Sequence, residues 1–85
     1  MADVEIYTTM MCGYCARAKR LLAKKGASFT EIDVAMDGQK RAEMMQRSNG
    51  GRTVPQIFIG GKHVGGCDDL EMLEFDGELD PMLNA

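Results

Sequence analysis

Two thiols three positions apart, Cys12 and Cys15 in "TTMMCGYC", are the residues of this chain best suited to chemistry. A Cys-x-x-Cys pair can hold half of a zinc site, close a structural disulfide, or exchange with other disulfides. In exchange the attacking species is a thiolate, whereas a free cysteine near neutral pH is mostly thiol. A helix that starts at Cys12 offers unpaired backbone N–H groups and the positive end of its dipole, and both favour the charged form. Cys15, one turn on, then lies within reach of a mixed disulfide formed on Cys12. This order makes Cys12 the nucleophile and Cys15 the resolving thiol.

The zinc alternative needs two more ligands, and His63 and Cys67 have a plausible mutual spacing. They lie far from the first pair, however, and His63 falls in a strand pattern typical of a half-exposed surface histidine. The staple alternative is weakened by the count, because three cysteines cannot pair completely. It is weakened again by compartment. The opening "MADVEIY" lacks the basic and then apolar blocks of a signal peptide. A cytoplasmic location is expected, and structural disulfides are rare there.

The chain has 85 residues, enough for one domain spanning residues 1–85. Its apolar fraction of 45% and charged fraction of 27% are those of a globular protein. The net charge of −3 argues against nucleic acid as a partner, since such binders usually carry a basic surplus. No apolar run approaches the roughly 18 residues of a membrane span, so no membrane association is expected.

The elements that must position the thiols follow from periodicity. "VEIY" (residues 4–7) reads as a strand and "TTMMCG" as a loop. From about Gly13 to Lys25, Cys15, Ala18, Leu21 and Leu22 recur at helical spacing, and Gly26 sits where a helix-ending residue belongs. "SFTEIDV" resumes strand character, with Phe29 and Glu31 on one face and Thr30, Ile32 and Val34 on the other. Asp37 caps a second helix running to about Ser48, with Ala42, Met44 and Met45 toward the core. "VPQIFIGGKHV" reads as two strands joined at Gly60-Gly61. A last helix opens at "GGCDDLEMLEF", with Leu70, Leu73 and Phe75 inward, and "DPMLN" adds a terminal turn beginning at Pro81. The predicted order is β-α-β-α-β-β-α. It is an α/β arrangement in which the strand–helix–strand start gives a parallel pair and the hairpin adds antiparallel strands.

Three pieces in order, Cys12-Gly13-Tyr14-Cys15, Thr53-Val54-Pro55 and Gly65-Gly66-Cys67-Asp68-Asp69, make the chain resemble a small bacterial dithiol glutaredoxin over nearly its whole length. The resemblance implies a thioredoxin-like fold, a four-stranded mixed sheet flanked by three or more helices. It also implies a glutathione-dependent thiol–disulfide oxidoreductase acting on protein disulfides and protein–glutathione mixed disulfides. Glutathione is then a co-substrate, with no tightly bound cofactor and no metal, and a monomer is expected.

The same resemblance implies a cis Val54–Pro55 bond that turns the Val54 backbone toward Cys12 to meet the cysteinyl part of glutathione. Gly65 and Gly66 let the backbone approach a ligand closely. The N–H groups of Cys67 and Asp68 at the helix start can receive the γ-glutamyl carboxylate, with the Asp68 side chain on the glutamyl ammonium. Tyr14 becomes a wall of the groove, while Arg52, beside Thr53, and with less weight Arg47 resemble residues that meet the glycyl carboxylate. Asp68 and Asp69 can also simply cap the helix.

Two positions depart from the family. Thr9 stands where many relatives carry lysine, and Gly13 where many dithiol members carry proline. The glycine also resembles relatives that hold a [2Fe–2S] cluster between two subunits with glutathione. A cluster carrier or sensor, working as a homodimer, is the alternative reading.

Overall fold

The computed structural model describes residues 1–85. Its elements are β1 (Val4–Thr8), α1 (Gly13–Lys24), β2 (Thr30–Asp33), α2 (Gly38–Arg47), β3 (Gln56–Ile59), β4 (Lys62–Gly65), α3 (Cys67–Phe75) and α4 (Leu79–Leu83). The four strands form one sheet in the order β2-β1-β3-β4. β1 runs parallel to β2, and the β1–β3 and β3–β4 pairs are antiparallel. This is the mixed, thioredoxin-like sheet the sequence implies.

Alternation along the central strands divides the interior in two. Val4 and Ile6 of β1, with Ile57 and Ile59 of β3, pack against Ala18 and Leu22 of α1, Cys67 and Leu70 of α3, and Leu79 and Leu83 of α4. On the opposite face Tyr7 and Phe58 pack with Val34 and with Met44 of α2. Successive side chains of a strand point to opposite faces, so a strand between two helix layers must be apolar on both. β2 keeps the expected facing. Phe29 joins the first cluster, whereas Ile32 and Val34 join the second.

Local signals fix the ends. Gly26 (φ +72°) follows the last turn of α1, in a left-handed conformation that costs glycine little. Gly60 (φ +59°) and Gly61 (φ +79°) make the two-residue hairpin turn, both residues having the positive φ such a turn requires. Asp37 caps α2, its Oδ1 accepting from Lys40 N–H at 3.0 Å.

Three expectations give way. Ala42 is exposed, because α2 turns Met44 and Ser48 inward, one turn apart. Phe75 is 86% exposed. It lies five residues beyond the buried Leu70, about 140° around the helix. The terminal helix begins at Leu79 rather than at Pro81, since Leu79 and Leu83 anchor it in the first cluster. No helix is long and apolar enough to cross a membrane.

Candidate active site

Cys12 is the N-cap of α1, in extended backbone just before the first helical residue. Its Sγ accepts the Cys15 N–H at 3.2 Å. A thiol at this position also points its S–H at the Val54 carbonyl, 3.9 Å away. Cys12 is partly exposed and Cys15 is 1% exposed, and both thiols are free.

Burial, reinforced by the hydrogen bond with Cys12, pushes the Cys15 thiol up to about 12. Near neutral pH it therefore remains protonated. Cys67 is also held above the ordinary thiol range, first by burial and then by the Glu71 charge. Two of the three thiols are thus sheltered as thiols, and Cys12 has the access.

The raised Cys15 value has a consequence for stability. Folding holds this thiol protonated, while the unfolded chain ionises it from about pH 8.5 upward. Its contribution is complete below that pH and is lost as pH climbs toward 12. The slope is at most about 1.4 kcal/mol per pH unit. Denaturation of the reduced protein at several alkaline pH values should show a flatter decline for Cys15→Ala than for the native sequence. Equal slopes would mean that the thiol is not sheltered.

A cleft of about 520 Å³ opens beside Val54, lined by Tyr14, Thr53, Val54, Pro55, Gly66, Cys67 and Asp68 together with Gly51, Gln56, His63, Gly65 and Asp69. The Val54–Pro55 peptide is cis. Gly65 (φ +121°) has no room for a side chain, since a Cβ there would fall 2.3 Å from Asp69 Oδ2. The two aspartates divide their tasks. Asp69 Oδ2 accepts the Gly66 N–H at 2.9 Å and caps α3, whereas Asp68 is exposed on the cleft wall. Tyr14 is 56% exposed, with the Arg17 guanidinium 5.7 Å from its ring centre. Arg17 in turn holds both Glu71 oxygens, at 2.7 and 2.8 Å.

The basic residues behave differently. Arg47 is turned away from the cleft. Its guanidinium holds Glu5 through both nitrogens (3.0 and 2.9 Å), donates to Tyr7 Oη at 2.8 Å, and lies 4.1 Å from the Phe58 ring centre. Arg52 is exposed outside the cleft lining, with its carbonyl accepting from Arg41 at 3.4 Å. Thr9 lines a second hollow on the other side of Cys12, together with Lys19 and Glu31.

The zinc quartet does not assemble. Cys67 packs into the α1–α3 core, while the His63 ring lies against Phe58 on the α2 side. No three His, Cys, Asp or Glu residues come together as a metal-binding group. Gln56, His63 and Gly51 line the cleft but do not belong to the implied glutathione set. A glutamine inside the apolar run "PQIFI" was the available signal for Gln56, since a buried polar side chain must find partners.

The glutaredoxin family model matches residues 4–64. Glutaredoxin 3 of Escherichia coli (strain K12) is 57% identical over 83 residues, covering 98% of this chain and 99% of that protein. A solution structure of glutaredoxin from Brucella melitensis is 60% identical, covers 98% of this chain and 89% of that one, and superposes with a TM-score of 0.85. A buckwheat glutaredoxin crystallised with glutathione has 37% identity and a TM-score of 0.87, covering 98% of this chain and 77% of that one. Matches this extensive, on a fold that sets Cys12 beside a cis-proline loop, mean that the chain belongs to the glutaredoxin family.

Proposed function

We propose that the protein is a glutathione-dependent thiol–disulfide oxidoreductase that reduces protein–glutathione mixed disulfides and protein disulfides. The observation that carries this reading is the unequal environment of the two thiols. Cys12 is accessible and receives a backbone N–H, and Cys15 is a sheltered thiol one turn behind it.

The Cys12 thiolate attacks the glutathione sulfur of a mixed disulfide. A Cys12–glutathione bond forms, the original disulfide breaks, and the protein leaves as a thiolate that takes a proton from water. A second glutathione thiolate then attacks the glutathione sulfur on Cys12, releasing oxidised glutathione and restoring Cys12. With a protein disulfide, Cys12 first bonds to one substrate sulfur. Cys15 gives up its proton and displaces the substrate, forming a Cys12–Cys15 disulfide that two glutathiones reopen. Glutaredoxin potentials of about −200 to −230 mV lie close to the glutathione couple, so both routes are accessible.

Glutathione fits the cleft by chemistry. Its cysteinyl backbone runs along the Val54 N–H and C=O, and its γ-glutamyl carboxylate meets the first N–H groups of α3, at Cys67 and Asp68. Asp68 faces the glutamyl ammonium, Tyr14 walls the sulfur, and Pro55 and Gly66 leave the floor open. Thr53 and Arg52 serve the glycyl end, where the exposed Arg52 side chain must swing inward. Expected partners are glutathione and proteins bearing disulfides or glutathionyl groups, with the enzyme a monomer.

Steady-state reduction of one peptide carrying either glutathione or cysteine in mixed disulfide tests this reading. The glutathionyl form should be favoured by about tenfold or more in kcat/KM, the worth of one charge-assisted contact. Equal values would remove glutathione from the cleft. Visible absorption bands from anaerobically prepared protein would instead favour a [2Fe–2S] carrier. Each chain would bring one accessible thiolate, Cys12, to such a cluster, and the other ligands would come from glutathione and a second copy.

A further inference from the structure

The Thr53 end of the cleft is held from behind by Gln56, a side chain with no part in the chemistry above. Gln56 opens β3 and is 6% exposed. Its Nε2 donates to the Thr53 carbonyl at 3.0 Å, and its Oε1 lies 2.7 Å from His63 Nε2. The two ends of an amide are alike in shape and opposite in hydrogen bonding. A proton on His63 Nε2 can be received only by Oε1, which leaves the NH₂ facing Thr53. A ring protonated at Nδ1 alone would set a lone pair against Oε1 and favour the flipped amide, whose oxygen would oppose the Thr53 carbonyl.

Gly51 closes around the same amide. A Cβ at Gly51 would come within 2.8 Å of Gln56 Nε2 and 2.5 Å of Ser48 Oγ. Ser48 itself donates to the Met44 carbonyl at 2.7 Å, tying this loop to the end of α2. Ser48 Oγ also lies 3.3 Å from the Gly51 carbonyl, so Ser48 holds the start of this loop while the buried Gln56 amide holds its Thr53 end. The next residue, Val54, has its carbonyl 3.9 Å from Cys12 Sγ.

We infer that His63 and Gln56 are positioning residues. By orienting the Gln56 amide, His63 fixes the Thr53 carbonyl and so holds the Val54 N–H and C=O in place for the cysteinyl backbone of glutathione. The inference rests on the proposed glutathione reading. It gives the β4 histidine a function in substrate affinity rather than in metal binding.

Four proteins decide it: the native sequence, His63→Leu, His63→Gln and Gln56→Glu, each assayed on a glutathionylated peptide with thermal melting alongside. His63→Leu removes the donor, and KM should rise about three- to tenfold, the worth of one net hydrogen bond, while kcat stays within about twofold. His63→Gln, whose amide nitrogen reaches about as far as Nε2, should restore KM. Gln56→Glu keeps the shape but turns an oxygen toward the Thr53 carbonyl, and should raise KM at least as much. It decides the matter if His63→Leu fails to fold. An unchanged KM in His63→Leu and Gln56→Glu, or an equal rise in His63→Gln, overturns the inference. Failure of the glutathione reading would look different, because the native protein itself would then show no preference for glutathionyl over cysteinyl peptide.

Discussion

Cys12→Ser should reduce turnover on every disulfide substrate to the uncatalysed level, a loss on the order of a thousandfold or more. A serine hydroxyl accepts the same Cys15 N–H but is not ionised near neutral pH and cannot form a disulfide. Cys15→Ser should separate the two routes. Reduction of glutathionyl substrates needs one thiol and should persist, whereas protein disulfides that require internal displacement should stall as mixed disulfides. Parallel assays of both variants on a glutathionylated peptide and on a protein disulfide check this. If Cys15→Ser abolished both activities and Cys12→Ser spared one, the roles would be reversed.

The second large effect concerns Asp68. Asp69 already caps α3, so removing the Asp68 carboxylate should cost little stability and should weaken the glutamyl contact. For one charge-assisted hydrogen bond the expected loss is about 1.5 kcal/mol, or roughly tenfold in the KM for glutathione. Asp69→Ala should show the converse, losing about 1 kcal/mol of stability with its cap. Melting curves and glutathione KM for the two variants test the division. A stability loss in Asp68→Ala with KM unchanged would make Asp68 a second structural residue and leave the ammonium without a partner.

The features legible in the sequence are those set by near neighbours. Cys12 and Cys15 lie one helical turn apart, and Gly26, Gly60 and Gly61 announce their turns through backbone freedom alone. Asp37 as a cap and the two faces of β2 are local for the same reason. The features that escaped depend on distant partners. Arg47 has the composition of an anion ligand, but folding brings Glu5 of β1 under α2 and the pair closes internally. Glu5 and Arg47 carry no mark in the sequence that joins them. Phe75 looked like core by residue type, yet α3 buries the stripe of Cys67 and Leu70. Periodicity outranks hydrophobicity there. Gln56 is marked as a polar residue in an apolar run, but nothing in the sequence names His63 as its partner, and only the hairpin brings the two together.

The central claim is that Cys12 takes the glutathionyl group itself. Cys15→Ser mixed with a glutathionylated peptide, without added glutathione, isolates that step, because the Cys12–glutathione bond then has no resolving thiol. Intact-mass spectrometry with fragmentation should find one glutathionyl group on Cys12 and the peptide released as a free thiol. Peptide joined to the protein with glutathione set free, or a glutathionyl group on Cys67 instead of Cys12, would contradict the account.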